Sequence, residues 1–322
     1  RTNTILQSAF FKLANIMPYD QAVEFMKAAA KKSYSKKGDD IVKMNYVAIE
    51  KGGKVKRITV KPEWKNLVVN PVKKPGISEY FDDYATEIND LRGYDLPVSA
   101  FLKGDLLKGS MEANTTYNEK RNIATEVPHW HSENCIQCGN CVIVCPHATI
   151  RAFLPTDEEV AAAPALGQDV LKAMGPNMTQ YKYRIQVSPD NCVGCGLCVS
   201  ECPGKKDLKT GEVKKALTMN DVKAEMGQSE VADYYYGKVP YRTPMNTNNV
   251  KGVSFLKPYF EVSGSCAGCG ETPYYRLISQ LFGKDLLIGN ATGCSSIYCG
   301  STPSTPFVKD ANGQGPAWAN SL

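Results

Sequence analysis

The sequence has 322 residues, 43% of them hydrophobic and 22% charged, and a net charge of +5 from 38 Lys and Arg against 33 Asp and Glu. That length allows two or three domains, and so mild a positive balance, spread along the chain, gives no argument for nucleic acid as a partner. No apolar run approaches the roughly 18 residues that span a bilayer. Twelve cysteines, mostly at ligand spacing, fit a reducing compartment and suit an anaerobic or microaerobic one.

Residues 1–69 read as the closing part of an α/β domain. Phe10, Phe11, Leu13, Ala14 and Ile16 form an apolar cluster ended by Pro18. Asp20 is expected to cap a helix carrying Val23, Met26, Ala29 and Ala30, with Lys31 and Lys32 near its end and Gly38 as the break. Ile41–Tyr46 is ambiguous between helix and strand, and Lys54–Lys61 alternates as a short strand would. Asn70–Gly76 is a linker by composition. Residues 70–127 are read as a linker and wrapping segment without a core of its own.

The chemistry concentrates in residues 128–217. Cys135-x2-Cys138-x2-Cys141-x3-Cys145-Pro146 is answered by Cys192-x2-Cys195-x2-Cys198-x3-Cys202-Pro203. This is the run that holds paired [4Fe–4S] clusters, with the fourth cysteine of each run crossing to the other cluster. One cluster is therefore expected on Cys135, Cys138, Cys141 and Cys202, and the second on Cys192, Cys195, Cys198 and Cys145. Zinc would not need two identical four-cysteine runs each closed by proline, and the spacing is too tight and regular for disulfides. Thr149–Phe153 and Tyr183–Val187 read as strands around an Ala/Pro/Gly-rich insertion, Ala161–Met178. Lys205, Lys206, Lys209, Lys214 and Lys215 form a basic patch, read first as a solvated face and second as a dock for an acidic electron carrier.

Residues 218–257 read as an extended crossing segment whose Tyr234-Tyr235-Tyr236 packs on a domain surface. From 258 to 322 a second α/β domain begins. It has a Gly-rich loop, a helix opened by Thr272 and Pro273 and carrying Tyr274, Leu277, Ile278, Leu281 and Phe282, then a buried parallel-type strand at Leu286–Ile288. Strand, glycine loop and helix start suit a phosphorylated cofactor. Cys266, Cys269 and Cys294 are three thiols at loop ends, one short of a cluster. The fourth ligand is either Cys299 or a cysteine outside this chain, and free buried cysteines are the plain alternative.

Read together, Ser265-Cys266-Ala267-Gly268-Cys269-Gly270-Glu271-Thr272-Pro273, Thr292-Gly293-Cys294-Ser295-Ser296-Ile297-Tyr298, Asn118-Glu119-Lys120-Arg121, Pro128-His129-Trp130 and Pro146-His147-Ala148 carry a resemblance. The chain resembles, over nearly all its length, the pyruvate:ferredoxin (flavodoxin) oxidoreductases. The missing initiator Met and the abrupt end at Ser321-Leu322 then lead us to expect an internal stretch of a longer enzyme. The resemblance implies an α/β multidomain architecture: a central α+β ferredoxin-like two-[4Fe–4S] domain between the end of a CoA-handling domain and the start of a thiamine-binding one. It implies a third cluster on Cys266, Cys269 and Cys294, completed by a cysteine outside this chain, thiamine diphosphate with Mg2+ against Glu271 and Cys294, and coenzyme A near Asn45. Cys299 departs from the pattern, where the resemblance leads us to expect glycine.

The implied reaction is oxidative decarboxylation of pyruvate with coenzyme A to acetyl-CoA and carbon dioxide. Thiamine serves as the electron sink, and clusters pass electrons singly to ferredoxin or flavodoxin. A homodimer in the cytoplasm or a reducing, hydrogenosome-like organelle goes with it. No general acid or base is identifiable, and His129, His131 and His147 read as structural. On its own this stretch is expected to be inactive. Two other readings stand beside this one: an oxidoreductase of another 2-oxo acid, and an iron–sulfur electron-transfer subunit without catalysis.

Overall fold

A computed structural model of the chain describes residues 2–67 and 76–320. These fall into two compact units, one within residues 1–73 and one within 74–322.

The first unit is a packed trio of helices, Thr2–Ala14, Tyr19–Tyr34 and Asp39–Gly52. Ala22, Met26, Ala30, Val42, Ala48 and Ile49 supply its buried apolar contacts, the first three at the i, i+4 and i+8 spacing of one helix face and Val42 and Ile49 two turns apart. Gly38, at φ 100°, breaks the chain between the last two helices as expected. The described elements of this unit are helices, and Ile41–Tyr46 lies within the third. Two expectations are corrected here. Lys54–Lys61 forms no strand, and no strand lies beside it among the described residues. Asp20 sits in the first turn without capping; Pro18 holds the N-cap position, so Asp20 acts only on the helix dipole. The linker read at Asn70–Gly76 lies, Gly76 apart, outside the described residues.

The second unit centres on residues 126–221. Ile150–Phe153 and Lys182–Val187 pair antiparallel, with Ile150 opposite Val187, and Leu171–Lys172 adds to the other edge. Glu126–Trp130 pairs antiparallel with Leu217–Asp221, closing the two ends of the segment on each other. Each cysteine run contributes a short helix, Asn140–Val144 and Leu197–Ser200, and these pack side by side. Between helices and sheet lies a core of Val142, Ile150, Ala152, Leu154, Tyr183, Ile185, Val187 and Leu217, with Cys145 and Cys198 part of it.

Beyond the strand that ends at Asp221, residues 222–257 carry helices and are not one extended segment. Gln228–Lys238 is a helix, so the tyrosine run is helical: Tyr235 is buried against Phe153 while Tyr234 and Tyr236 flank it. Tyr235 and Tyr236 donate to the carbonyls of Gly167 and Thr149. They thus staple this helix onto the insertion and the sheet.

The last helix of consequence, Thr272–Phe282, has Glu271 and not Thr272 as N-cap, without a side-chain bond. Its apolar residues are only partly covered, with Leu277 and Ile278 half-buried. Thr272, Arg276, Ser279 and Gln280 face inward, while Tyr274, Leu281 and Phe282 are exposed. Gln280 donates to Leu256 O (2.8 Å) and Ser279 Oγ accepts from Tyr259 N–H (3.2 Å), so the inward face is held by hydrogen bonds. Leu287–Asn290 is a parallel strand, paired with Ala317–Asn320, but Leu287 is exposed where burial was expected.

Candidate iron–sulfur centre

The two runs fold into two cavities that redistribute the eight cysteines. One is lined by Cys135, Cys138, Cys141 and Cys202 together with Trp130, Tyr183, Ile185 and Leu217. The other is lined by Cys192, Cys195, Cys198 and Cys145 together with His147, Thr149 and Ile150. Each cavity thus takes three cysteines from one run and the fourth from the other. The two cavities are of similar size. Among the described residues no three His, Cys, Asp or Glu side chains converge as the ligands of one ion would. Four thiols line each cavity, which suits a cluster with one thiolate per iron.

Local backbone makes this possible. Gln137 and Gly194, each immediately before the second cysteine of its run, have φ of 58° and 66°. That left-handed turn brings the two cysteines of C-x2-C onto one side. Gly194 N–H donates to Cys192 Sγ at 3.4 Å, the kind of contact that tunes a bound cluster. Gln137 adopts the same conformation without being glycine because its side chain is tied down at both ends: Nε2 donates to Lys172 O (2.8 Å) and Oε1 accepts from Met174 N–H (2.9 Å). The insertion therefore has a job, buttressing the first run.

Two polar atoms of the cavity walls lack partners of their own. Trp130 Nε1 in the first cavity and His147 Nδ1 in the second are buried with no hydrogen-bond partner. Buried orphans of this kind are rare, and both sit where a sulfur-rich group would meet them. Thr149 Oγ1 lies 3.5 Å from Cys145 Sγ. Burial pushes the Cys192 thiol up to about 12 and raises Cys135, Cys141 and Cys198 as well. These thiols are protonated without metal, so iron binding displaces protons.

The third cysteine group is arranged differently. Cys266 is exposed, Cys269 half-buried and Cys294 exposed at the start of the helix Cys294–Cys299. The structure does not bring these three to a common point. The loop nonetheless shares one feature with the runs: Gly268, again just before the second cysteine, has φ 72°. A Cβ at Gly268 would lie 3.8 Å from Cys195 Cβ, so this loop rests against the second cavity. His147 joins the two, its Nε2 lying 3.1 Å from Ser265 O and 3.0 Å from Ser265 Oγ. Burial holds that imidazole down at about 4, neutral at ordinary pH.

Cys299 is fully buried among Phe260, Tyr298 and Phe307, a core residue. Glu271 is exposed at the head of its helix. Asn45 is buried in the first unit, where its Nδ2 donates to Ile41 O (2.8 Å) and its side chain borders a cleft with Met26, Ala30 and Tyr34. His129 pairs with Glu225 (2.8 Å) and His131 with Thr218 (3.0 Å), both structural contacts. Of the basic patch, Lys215 is committed to the carbonyls of Val199 and Ser200 (2.6 and 3.1 Å), at the end of the second run's helix. Arg276 was missed by the sequence reading, because a polar stripe at helical spacing gives no sign that it faces inward.

Residues 134–206 match the 4Fe-4S dicluster domain family. The whole chain is 42% identical over 331 residues to a pyruvate:ferredoxin oxidoreductase of Moorella thermoacetica, of which it covers 27%. It is 42% identical over 326 residues to a pyruvate-flavodoxin oxidoreductase of Enterobacter agglomerans, covering 26%. It is 38% identical over 326 residues to a mitochondrial pyruvate dehydrogenase [NADP(+)] of Euglena gracilis, covering 17%. The chain thus spans about a quarter or less of the length of these relatives. Among the described residues no helix is long and apolar enough to cross a membrane.

Proposed function

We propose, on the premise that all 322 residues are homologous to part of the pyruvate:ferredoxin (flavodoxin) oxidoreductases, that this chain is the electron-conducting stretch of such an enzyme. The reaction would be pyruvate and coenzyme A to acetyl-CoA and carbon dioxide, with two electrons leaving one at a time. The observation that carries the reading is the pair of four-cysteine cavities with crossed fourth cysteines. A two-electron oxidation must be split for one-electron acceptors, and paired clusters do that.

In this reading Cys135, Cys138, Cys141 and Cys202 hold one [4Fe–4S] cluster and Cys192, Cys195, Cys198 and Cys145 the next. Cys266, Cys269 and Cys294 would hold a third, completed by a cysteine outside this chain. What supports it is the left-handed Gly268 and the contact of its loop with the second cavity. Cys299, buried in an apolar core, is not in position to supply the fourth thiolate. Thiamine diphosphate with Mg2+, where bound, supplies the electron sink for the keto carbon. Glu271 and Cys294, both exposed at helix starts, are the residues of this chain assigned to meet it. Asn45, beside its cleft, is assigned to coenzyme A. Ferredoxin or flavodoxin would take the electrons, the enzyme would work as a homodimer, and its compartment would be the cytoplasm or a reducing anaerobic organelle. The Euglena relative is named for NADP+, so the final acceptor is set outside this stretch.

The deciding measurement is iron and acid-labile sulfide on anaerobically purified protein. The 322 residues alone should bind about eight iron, and a protein that completes the third site about twelve. Twelve on the 322 residues would make Cys299 a ligand, and zinc in place of iron would end the redox reading.

A further inference from the structure

Buried arginines need an opposite charge nearby. Arg151 has one: its guanidinium pairs with Glu261, reaches Tyr241 Oη (2.8 Å) and lies 4.0 Å over the Tyr236 ring. Arg184 has neutral partners, but it borders an open cleft shared with Asp169 and Glu225. Arg276 has neither. It is 1% exposed, the largest of the fully buried side chains. Nη1 donates to Val142 O (2.5 Å), Nη2 donates to Ile143 O, and Nε has no partner. Among the described residues no carboxylate pairs with it. The nearby groups that would carry opposite charge, once deprotonated on iron, are Cys145 and Cys141, with Arg151 the competing cation.

The position is specific. Val142 and Ile143 lie between Cys141, which lines the first cavity, and Cys145, which lines the second. Arg276 therefore binds the backbone that joins a cysteine of one cavity to a cysteine of the other, delivered there by a helix that begins three residues after Cys269. We propose that Arg276 is the fixed counter-charge of both iron–sulfur sites and holds their reduction potentials up. A cluster with four thiolates carries a charge of −2 when oxidised and −3 after taking one electron, with no proton bound. A buried cation favours the −3 form more than the −2 form. The proposal rests on the reading that these eight cysteines hold two clusters. Iron-free wild-type protein would end that reading itself, whereas iron-replete variants with unmoved potentials would end only the role of Arg276.

The plain alternative is that Arg276 merely caps the carbonyls at the end of the helix Asn140–Val144. A dithionite titration of the loaded protein, followed by electron paramagnetic resonance, separates the two. Arg276→Met should shift the one-electron reduction equilibrium of the two clusters about tenfold toward the oxidised form, about 59 mV. Arg276→Lys, which keeps the charge and loses the fork, should recover most of that. Unmoved potentials in iron-replete R276M overturn the proposal. A second measurement holds even where R276M loads poorly. Loaded R276M should be less stable than loaded wild type, whereas chelator-stripped R276M should be more stable than stripped wild type, where the cation is stranded. A loss of the same sign in both forms would show capping alone.

Discussion

Gly194 and Gly196 test how closely the second run is built to its cavity. Both have left-handed backbones, with φ of 66° and 74°. A Cβ at position 196 would meet nothing within 4 Å, whereas one at 194 would stand 2.8 Å from Glu126 O and 3.3 Å from Ala124 Cβ. Glu126 O is backbone in a strand paired to Leu217–Asp221, so it does not yield as a flexible side chain would. Gly196→Ala therefore adds only backbone strain, about 1–2 kcal/mol. Gly194→Ala adds that strain and an overpacking term of about 1–3 kcal/mol, together about 2–5 kcal/mol. For a unit of this size each kcal/mol lowers Tm by about 2–4 °C. The expected falls are about 2–8 °C for Gly196→Ala and 4–20 °C for Gly194→Ala. Thermal melts of the two loaded variants under anaerobic conditions, with the rate of iron release to a chelator read in parallel, make the comparison. Gly194→Ala should also release iron from its own cluster faster, since Gly194 N–H faces Cys192 Sγ. Equal melts and equal iron release would refute the claim that the backbone around Gly194 is fixed.

Gln137→Ala keeps the left-handed strain of the first run but frees Lys172 O and Met174 N–H; about 2 kcal/mol should be lost in denaturant melts. Glu159 gives a pH test. Burial pushes its carboxyl up, but the Arg242 guanidinium and the Thr156 N–H outweigh this and hold it below the ordinary glutamate value. A carboxyl held lower in the folded state stabilises above its unfolded pKa, and that gain is lost as pH falls through the folded value. Between about pH 5 and 3 wild type should therefore lose about 1 kcal/mol more than Glu159→Gln; parallel stability curves would count against the pairing. Cys145→Ser should disturb the cluster on Cys192, Cys195 and Cys198 and leave the other spectrum intact. Disturbance of the cluster on Cys135 instead would undo the crossed assignment.

The cysteine runs were legible because their spacing is itself the ligand geometry, and the crossed sets emerge in the cavities unchanged. The strands on either side were legible from alternation. What misled was local pattern without knowledge of neighbours. Lys54–Lys61 alternates like a strand but has no strand to pair with among the described residues. Thr272–Phe282 has a clear helical period, yet periodicity states only that two faces differ, not which one is inside. Arg276 was invisible for that reason. The left-handed turn at Gln137 was hidden too, since only its side-chain ties, made to residues 35 and 37 positions away, permit it.

The inward-facing polar stripe of Thr272–Phe282 bears on how well the molecule keeps its internal spacings. Oil-like contact tolerates sliding: apolar surfaces displaced by an ångström lose little. A joint made by Arg276, Ser279 and Gln280 on named carbonyl and amide groups has a register, and a small slip breaks several directional bonds together. The loop of Cys266 and Cys269 is the immediate extension of that helix, and it comes close enough to Cys195 that a Cβ at Gly268 would touch it. Electron tunnelling falls off exponentially with separation, so a pivot free to creep would spread the transfer rates over a wide range. If that loop holds a cluster as proposed, a keyed joint narrows that spread, much as a dowel sets the gap between two plates that adhesive alone would let drift.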